Sequence, residues 1–198
     1  MNQQEEIIRI SIDLETMSLE NNAAIVQIGA CTIQAPSEAS QCFNMYINPE
    51  SAERLGLHVD KGTMEWWSKQ DEAVRQRVFG GTEPLTYALA SFEAWVACLC
   101  ADKLENIRFY SKGAEDIIWL KNAYYTTIGR WPFHYRSPQN LRTLVDAMEY
   151  AGIVVPQFPN DTPHDALADA LAQGEQVYWM LEQIRWSQSP HPGVNDGT

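Results

Sequence analysis

The chain has 198 residues, of which 45% are hydrophobic and 20% are charged, and its formal net charge is −12 at pH 7. This length and composition predict a single globular domain over residues 1–186, followed by a flexible tail over 187–198. The acidic balance argues against a protein that clamps long duplex nucleic acid, since such proteins carry a basic stripe and a high pI.

Three β-strands are predicted at the start of the chain. Residues 7–13 alternate between apolar and polar side chains, with Ile8, Ile10 and Ile12 on one face. Residues 23–33 and 41–49 are also typical of strands, and the connections between the three are short. Short connections favour antiparallel pairing, so this part predicts an antiparallel meander.

Helices are predicted over most of the remaining chain, with one buried strand at 106–112. The predicted helices cover residues 63–79, 84–101, 114–125, 140–153 and 165–184. The element order therefore predicts an α/β fold with a mixed sheet.

Cysteine usage and the N-terminus bear on the cellular compartment. The four cysteines have no paired metal-ligand spacing, and we interpret Cys98 and Cys100, in an apolar stretch, as buried free thiols. The first ten residues lack the basic and apolar regions typical of a signal peptide, and no apolar run approaches the roughly 20 residues that span a bilayer. We expect a soluble protein of a reducing cytoplasm.

Four acids and one histidine, widely separated in sequence, form the candidate site. Asp13 and Glu15 share one face at the end of the first strand, Asp116 opens a helix, and His164 and Asp169 flank the start of the last helix. Strand ends and helix starts are where clefts form in open α/β sheets. Carboxylates gathered there predict binding of hard divalent cations and two-metal phosphodiester chemistry, with His164 as general base.

Each of these residues also has an ordinary structural interpretation. Asp13 and Glu15 can be solvated acids, Asp116 can interact with the helix dipole, and His164 can lie at the surface or cap a helix. Glu115 competes with Asp116, but the two point to different sides of the helix. Asp165 is assigned only the helix N-terminal role.

Half of the basic residues fall within one stretch of 40 residues. If this stretch lies beside the carboxylates it offers a local surface for phosphates; otherwise its members are solvated charges on helix faces. They are Lys103, Arg108, Lys112, Lys121, Arg130, Arg136 and Arg142.

Three segments resemble the motifs of the DEDDh 3′–5′ exonucleases, which have the ribonuclease H-like fold. IDLET with AAIVQIGA resembles the first motif, YSKGAEDIIWL the second and HDALAD the third. TMEWWSKQ, PFHY and LRTL resemble a narrower branch of phage exonucleases and bacterial exoribonuclease-like proteins. The resemblance implies a mixed five-stranded sheet, three strands of it an antiparallel meander and the others parallel, flanked by helices.

The resemblance also implies roles for individual residues. Two Mg²⁺ or Mn²⁺ ions would be held by Asp13, Glu15, Asp116 and Asp169, while His164 would activate water. Glu115 stands where the family has an aromatic residue, in a shorter turn, but the pattern D-I-x-x-L-x-x-A-Y that starts at Asp116 continues in register. The substrate-binding residues implied are Thr16, Met17, Trp66, Trp67, Lys112 and Arg142.

For the adjacent tryptophans and for Arg142 a structural role competes with substrate binding. Neighbouring aromatics on a helix point about 100° apart, so one can pack in the core while the other faces a groove. Core packing or a dimer contact is an equal interpretation of Trp66 and Trp67. Solvation on a helix surface is the alternative for Arg142.

The sequence thus predicts a metal-dependent hydrolase that removes nucleotides from the 3′ end of single-stranded DNA or RNA. Two other classes stay open: an inactive protein with the same fold that binds nucleic acid or a protein partner, and an acidic protein that mimics nucleic-acid charge. The charge mimic predicts acids spread over exposed helix faces. A homodimer is a further expectation from the resemblance, and a membrane partner is not expected.

Overall fold

Five strands form one mixed sheet in a computed structural model that describes residues 7–187. The strands are β1 (Ile8–Thr16), β2 (Ile25–Thr32), β3 (Cys42–Tyr46), β4 (Ile107–Ser111) and β5 (Pro138–Asn140). Their order is β3-β2-β1-β4-β5, with antiparallel pairing among β1, β2 and β3 and parallel pairing of β4 with β1 and β5. The predicted mixed sheet with an antiparallel meander is therefore confirmed.

The α-helices of the described residues flank this sheet. They are α1 (Pro49–Arg54), α2 (Lys61–Trp67), α3 (Glu72–Phe79), α4 (Leu85–Leu99), α5 (Glu115–Ile128), α6 (Leu141–Tyr150) and α7 (Ala166–Ser187). The single helix predicted over 63–79 is wrong, because the Asp71 side chain accepts hydrogen bonds from the backbone of Ala73 and Val74 and so begins a new helix.

Other sequence predictions differ from the structure in detail. Strand β5 lies in a segment predicted as a loop, and α1 begins at Pro49, where only the end of a strand was expected. Cys100 is buried as predicted, but Cys98 is exposed on α4. The predicted flexible tail, apart from Ser187, lies outside the described residues.

One face of the sheet packs against a core of aliphatic and aromatic side chains. Ile10, Ile12 and Leu14 alternate along β1 and belong to the same buried cluster as Phe92 of α4 and Tyr124 of α5. The rings in this cluster meet edge to face or tilted, and they include Phe43, Phe92, Trp95, Phe109 and Phe133.

Helix α7 covers the opposite face of β1 and β2. Antiparallel register places Asp13 beside Gly29, and a Cβ at Gly29 would collide with the backbone of Ala166 and Leu167. The missing side chain therefore lets the first turn of α7 lie directly on the sheet. This contact brings the start of α7 to the acidic end of β1. Within residues 7–187, no helix is both long and apolar enough to cross a bilayer.

Candidate functional site

Three carboxylates from two elements converge at the end of β1. Asp13 and Glu15 point to the α7 face of the strand, and Asp169 comes from the first turn of α7. One carboxylate oxygen from each lies within 4.8 Å of the others. The structure thus brings together acids that are more than 150 positions apart in the chain.

Asp116 adjoins this group and is tied to the backbone of β1. Pairing between β1 and β4 ends at Ser11, so the N–H of Leu14 extends beyond β4. That N–H donates to Oδ1 of Asp116 at 3.1 Å, and the Asp116 side chain is buried. Glu115 is exposed, so of the two neighbouring acids it is Asp116 that faces the site.

Burial and mutual repulsion disfavour the charged forms of these acids. Burial raises the pKa of Glu15 to about 8, and the charges of Asp169 and Asp116 add to the effect. Burial, followed by the charges of Asp116, Glu15 and Asp169, holds the pKa of Asp13 well above its usual range. Burial also raises the pKa of Asp116 to about 6.

This site fits a divalent cation. Within the described part of the chain, no ion pair joins Asp13, Glu15 or Asp169 to a basic side chain. No direct ion pair therefore offsets the repulsion among these three acids; the charge of Arg142 acts on the adjoining Asp116, where it opposes the larger effect of burial. Oxygen donors of this kind are the ligands that Mg²⁺ and Mn²⁺ prefer.

His164 orients Asp169 through its backbone. Its backbone N–H donates to Oδ2 of Asp169 at 2.9 Å. The backbone of His164 is in the left-handed conformation, with φ of 65°. Its ring packs edge to face on Trp66, with the ring centroids 4.8 Å apart. The imidazole is not a member of the group of ligand atoms formed by the three carboxylates.

Polar contacts that the sequence analysis missed hold the start of α7 on the sheet. The buried side chain of Gln27 accepts from the N–H of Ala166 at 3.1 Å, and the hydroxyl of Tyr46 donates to Asp165 at 2.7 Å. Asp165 also accepts from the N–H of Ala168 at 3.3 Å, as its predicted N-terminal role requires. The available signal for Gln27 was a polar residue in the middle of a largely apolar strand.

Gln173 is a second missed residue. It lies one turn after Asp169 on α7, and its Nε2 donates to Oδ1 of Asp13 at 2.8 Å. Its spacing of four from Asp169 is the only sequence signal that could have found it.

An apolar cleft reaches the carboxylates at Glu15. We call it the tryptophan cleft; it has a volume of about 390 Å³, and Glu15, Thr16, Trp66 and Trp67 are among the residues that line it. Trp67 is buried and donates from Nε1 to the carbonyl of Thr16 at 2.9 Å, whereas Trp66 is 42% exposed. The expected division between one core and one groove tryptophan is present. Met17 is buried in the core and lines neither this cleft nor the next.

A second, polar cleft reaches the carboxylates at Asp169. We call it the basic cleft after Lys112 and Arg142; it has a volume of about 500 Å³, and its lining also includes Gln173 and the acids Asp146, Glu149 and Asp169. Both Lys112 and Arg142 are exposed.

The predicted basic surface is therefore narrower than the sequence suggested. Of the seven basic residues in that stretch, only Lys112 and Arg142 line the basic cleft. Arg130 instead pairs with Glu93 at 2.6 Å, and Arg108 donates to nearby backbone carbonyls.

Comparison with known proteins identifies relatives of this architecture. The model of the 3′–5′ exoribonuclease Rv2179c-like domain matches residues 8–181. Among solved structures, the nuclease domain of 3′hExo, described as a DEDDh family member bound to rAMP, is similar with a TM-score of 0.59 and 12% identity. The match covers 91% of this chain and 94% of that chain, and at this identity it shows the fold. No curated protein matches.

Proposed function

The chain belongs to the Rv2179c-like family of 3′–5′ exoribonuclease domains, and from this premise we propose that it trims single-stranded RNA from the 3′ end with the help of two divalent cations. The observation that carries the proposal is the group of Asp13, Glu15 and Asp169, with ligand oxygens within 4.8 Å of one another. Convergence of these acids argues against the charge mimic, which needs acids on exposed helix faces.

The carboxylates are the proposed cation ligands. Asp13, Glu15 and Asp169 offer oxygens that lie within 4.8 Å of one another. Asp116 lies outside that group, and we assign it as a further ligand through the oxygen that does not accept from Leu14. When bound, Mg²⁺ or Mn²⁺ would lower the pKa of the attacking water and stabilise charge on the leaving 3′ oxygen. The protein supplies positioning, because its ligands come from a strand and from two helix starts.

His164 is the proposed general base. Imidazole can accept a proton near neutral pH, which suits removal of a proton from the attacking water. Packing on Trp66 restricts the ring, and the backbone hydrogen bond to Asp169 fixes the loop relative to the carboxylates. His164 is therefore held to the carboxylates through its backbone and to the wall of the tryptophan cleft through its ring.

The two clefts suggest how the strand end is bound. The terminal nucleoside fits the apolar tryptophan cleft, where the half-exposed ring of Trp66 offers a stacking surface and Thr16 contributes to the wall. The phosphates of the preceding nucleotides fit the basic cleft, beside Lys112 and Arg142. We assign Met17 a packing role beneath the site, because its side chain is buried.

Single-stranded ends fit this protein better than long duplex. The net charge is −12, and the basic cleft offers two cationic side chains near the acids. Such a surface supports local contacts to a few phosphates and not the extended contacts that duplex clamping requires. The family description favours RNA over DNA, and 3′hExo, the structural neighbour, was seen with a ribonucleotide.

The proposal is tested by digesting one oligonucleotide sequence labelled at either end. With Mg²⁺ or Mn²⁺ present, the 3′ label should be released first as a mononucleotide, while the 5′-labelled strand shortens stepwise. Matched RNA, DNA and mixed 3′ ends should show faster release from ribonucleotide ends.

Several outcomes would contradict the proposal. Release of the 5′ label first, or equal rates in chelator, would exclude a cation-dependent 3′–5′ enzyme. A folded protein that shows neither trimming nor calorimetric binding of Mn²⁺ would favour an inactive member of the fold.

A further inference from the structure

A buried glutamine amide joins α7 to the first of the acidic residues. Gln173 is 8% exposed, and its Nε2 donates to Oδ1 of Asp13 at 2.8 Å. Among residues 7–187, Gln173 is the residue that donates a hydrogen bond to the Asp13 carboxylate. With Asp13 in the charged form that binds a cation, the orientation of the amide is set, because the reverse orientation would place two acceptor oxygens against each other.

Packing alone does not explain an amide at this position. Its Oε1 is buried and has no hydrogen-bond partner, while α7 otherwise places Ala170, Gly174 and Val177 against the sheet and core. A buried acceptor without a partner costs stability, and an apolar residue of similar size would remove that cost together with the hydrogen bond to Asp13. Local costs of this kind are expected where a residue serves function.

A neutral donor suits this place better than a charged one. A lysine or arginine here would form an ion pair with Asp13 and compete with a cation for its charge. An amide N–H restricts rotation of the carboxylate without neutralising it. The negative charge of the group therefore stays available to a cation.

We propose that Gln173 is a positioning residue that holds Asp13 through Oδ1 and leaves Oδ2 to ligate a divalent cation. This inference rests on the proposed function, since it concerns the same carboxylates. It assigns to Gln173 a role in cation affinity and not in the stability of the fold.

The test replaces the donor and keeps the shape. Gln173→Met has an unbranched side chain of similar length without an N–H, and Gln183→Met makes the same change near the far end of α7, at a half-buried position. Mn²⁺ affinity is measured by calorimetry, and the unfolding temperature is measured without cation. We expect Gln173→Met to weaken Mn²⁺ binding about 10- to 100-fold while its unfolding temperature stays nearly unchanged, because the lost hydrogen bond to Asp13 and the removed unpaired oxygen act in opposite directions. The control should match the wild type in both measurements.

The outcomes separate this inference from the proposed function. If the wild type binds Mn²⁺ and Gln173→Met binds it equally well, the positioning role is wrong while the proposed function stands. A loss of affinity accompanied by a lower unfolding temperature would indicate a packing role and would also overturn the inference. A wild-type protein that binds no Mn²⁺ would contradict the proposed function and, with it, the role of Gln173.

Discussion

The two faces of strand β1 differ in almost every physical property. Ile10, Ile12 and Leu14 pack into a core of hydrocarbon and aromatic rings. The residues that alternate with them point to α7 and include Asp13 and Glu15, whose charges repel each other. Two buried groups on that side, Oγ of Ser11 and Oε1 of Gln173, have no hydrogen-bond partner.

The contrast shows that one face of β1 contributes stability while the other carries the candidate site. Buried aromatic and aliphatic side chains dominate the free energy of folding, whereas like charges and unpaired acceptors reduce it. The α7 face therefore costs stability that the opposite face must supply. A bound cation would offset part of that cost on the α7 face alone.

The largest effect is expected on the aromatic face. Phe92→Ala removes a fully buried ring that contacts Phe43, Trp95, Phe109 and Phe133, and we expect it to lower the free energy of unfolding by about 3–5 kcal/mol. Urea denaturation measures it, with the exposed Tyr87→Ala on the same helix as control. A loss below about 1 kcal/mol would show that this face is not the stabilising one.

The next-largest change in stability is expected from cation binding and from pH. The pKa of Glu15 is raised to about 8, so the folded state binds more protons than the unfolded state between the ordinary carboxyl range and that value. Without cation, stability should therefore fall as pH rises from about 5 to 8. Saturating Mg²⁺ should raise the unfolding temperature by about 5–10 °C at pH 8, and by less at pH 6.

Thermal unfolding with and without chelator checks this pH dependence. Glu15→Gln is the matched variant, since it keeps the shape and removes one of the titrating groups. It should weaken the pH dependence in chelator and reduce the Mg²⁺ effect. A wild-type unfolding temperature that rises with pH in chelator would mean that these carboxyls are not destabilised by burial and repulsion.

A smaller effect is expected where α7 meets β2. Gly29→Ala adds a Cβ that collides with backbone at Ala166, so the start of α7 must move and carry Asp169 with it. We expect a loss of about 1–3 kcal/mol in stability together with a loss of trimming. Gly174→Ala is the milder comparison, because its Cβ would lie 3.3 Å from Sγ of Cys31 and would require that side chain to shift by only a few tenths of an ångström. Equal effects at both glycines would contradict the special closeness at Gly29.

The smallest effect on folding is expected at Trp66, which is 42% exposed. Trp66→Ala should leave the unfolding temperature nearly unchanged but raise KM for short RNA roughly tenfold, since stacking on a base contributes roughly 1–3 kcal/mol. Steady-state kinetics measures this, with Trp186→Ala, 73% exposed on α7, as control. If KM does not change, the terminal nucleoside does not stack on Trp66.

Local patterns predicted the sheet and the acidic pair. Alternation along β1 identifies its two faces, so it also places Asp13 and Glu15 on one side. The spacing of apolar residues could not reveal the break between α2 and α3. Apolar positions continue on both sides of Asp71, whose side chain caps the start of α3. Strand β5 has three residues and begins with proline, so it lacks a strand signal.

The residues that support the site could not be predicted from the sequence for a different reason. Gln27 and Gln173 act through contacts with residues more than 130 positions away, which no local period encodes. Asp116 was predicted from its place at a helix start and from the family resemblance, but its hydrogen bond to Leu14 depends on where the pairing of β1 with β4 ends. Such contacts follow from the register of the sheet and not from composition.

The central claim is that the acidic end of β1 serves cation-dependent RNA trimming and costs the fold stability. Asp13→Asn tests both parts in one sample, because it removes a charge and keeps the shape. Release of 3′-terminal nucleotides with Mg²⁺ and thermal unfolding in chelator are measured side by side. We expect trimming to fall by about 10³-fold or more while the unfolding temperature stays equal to that of the wild type or rises. A folded Asp13→Asn protein that trims RNA at the wild-type rate would contradict the account.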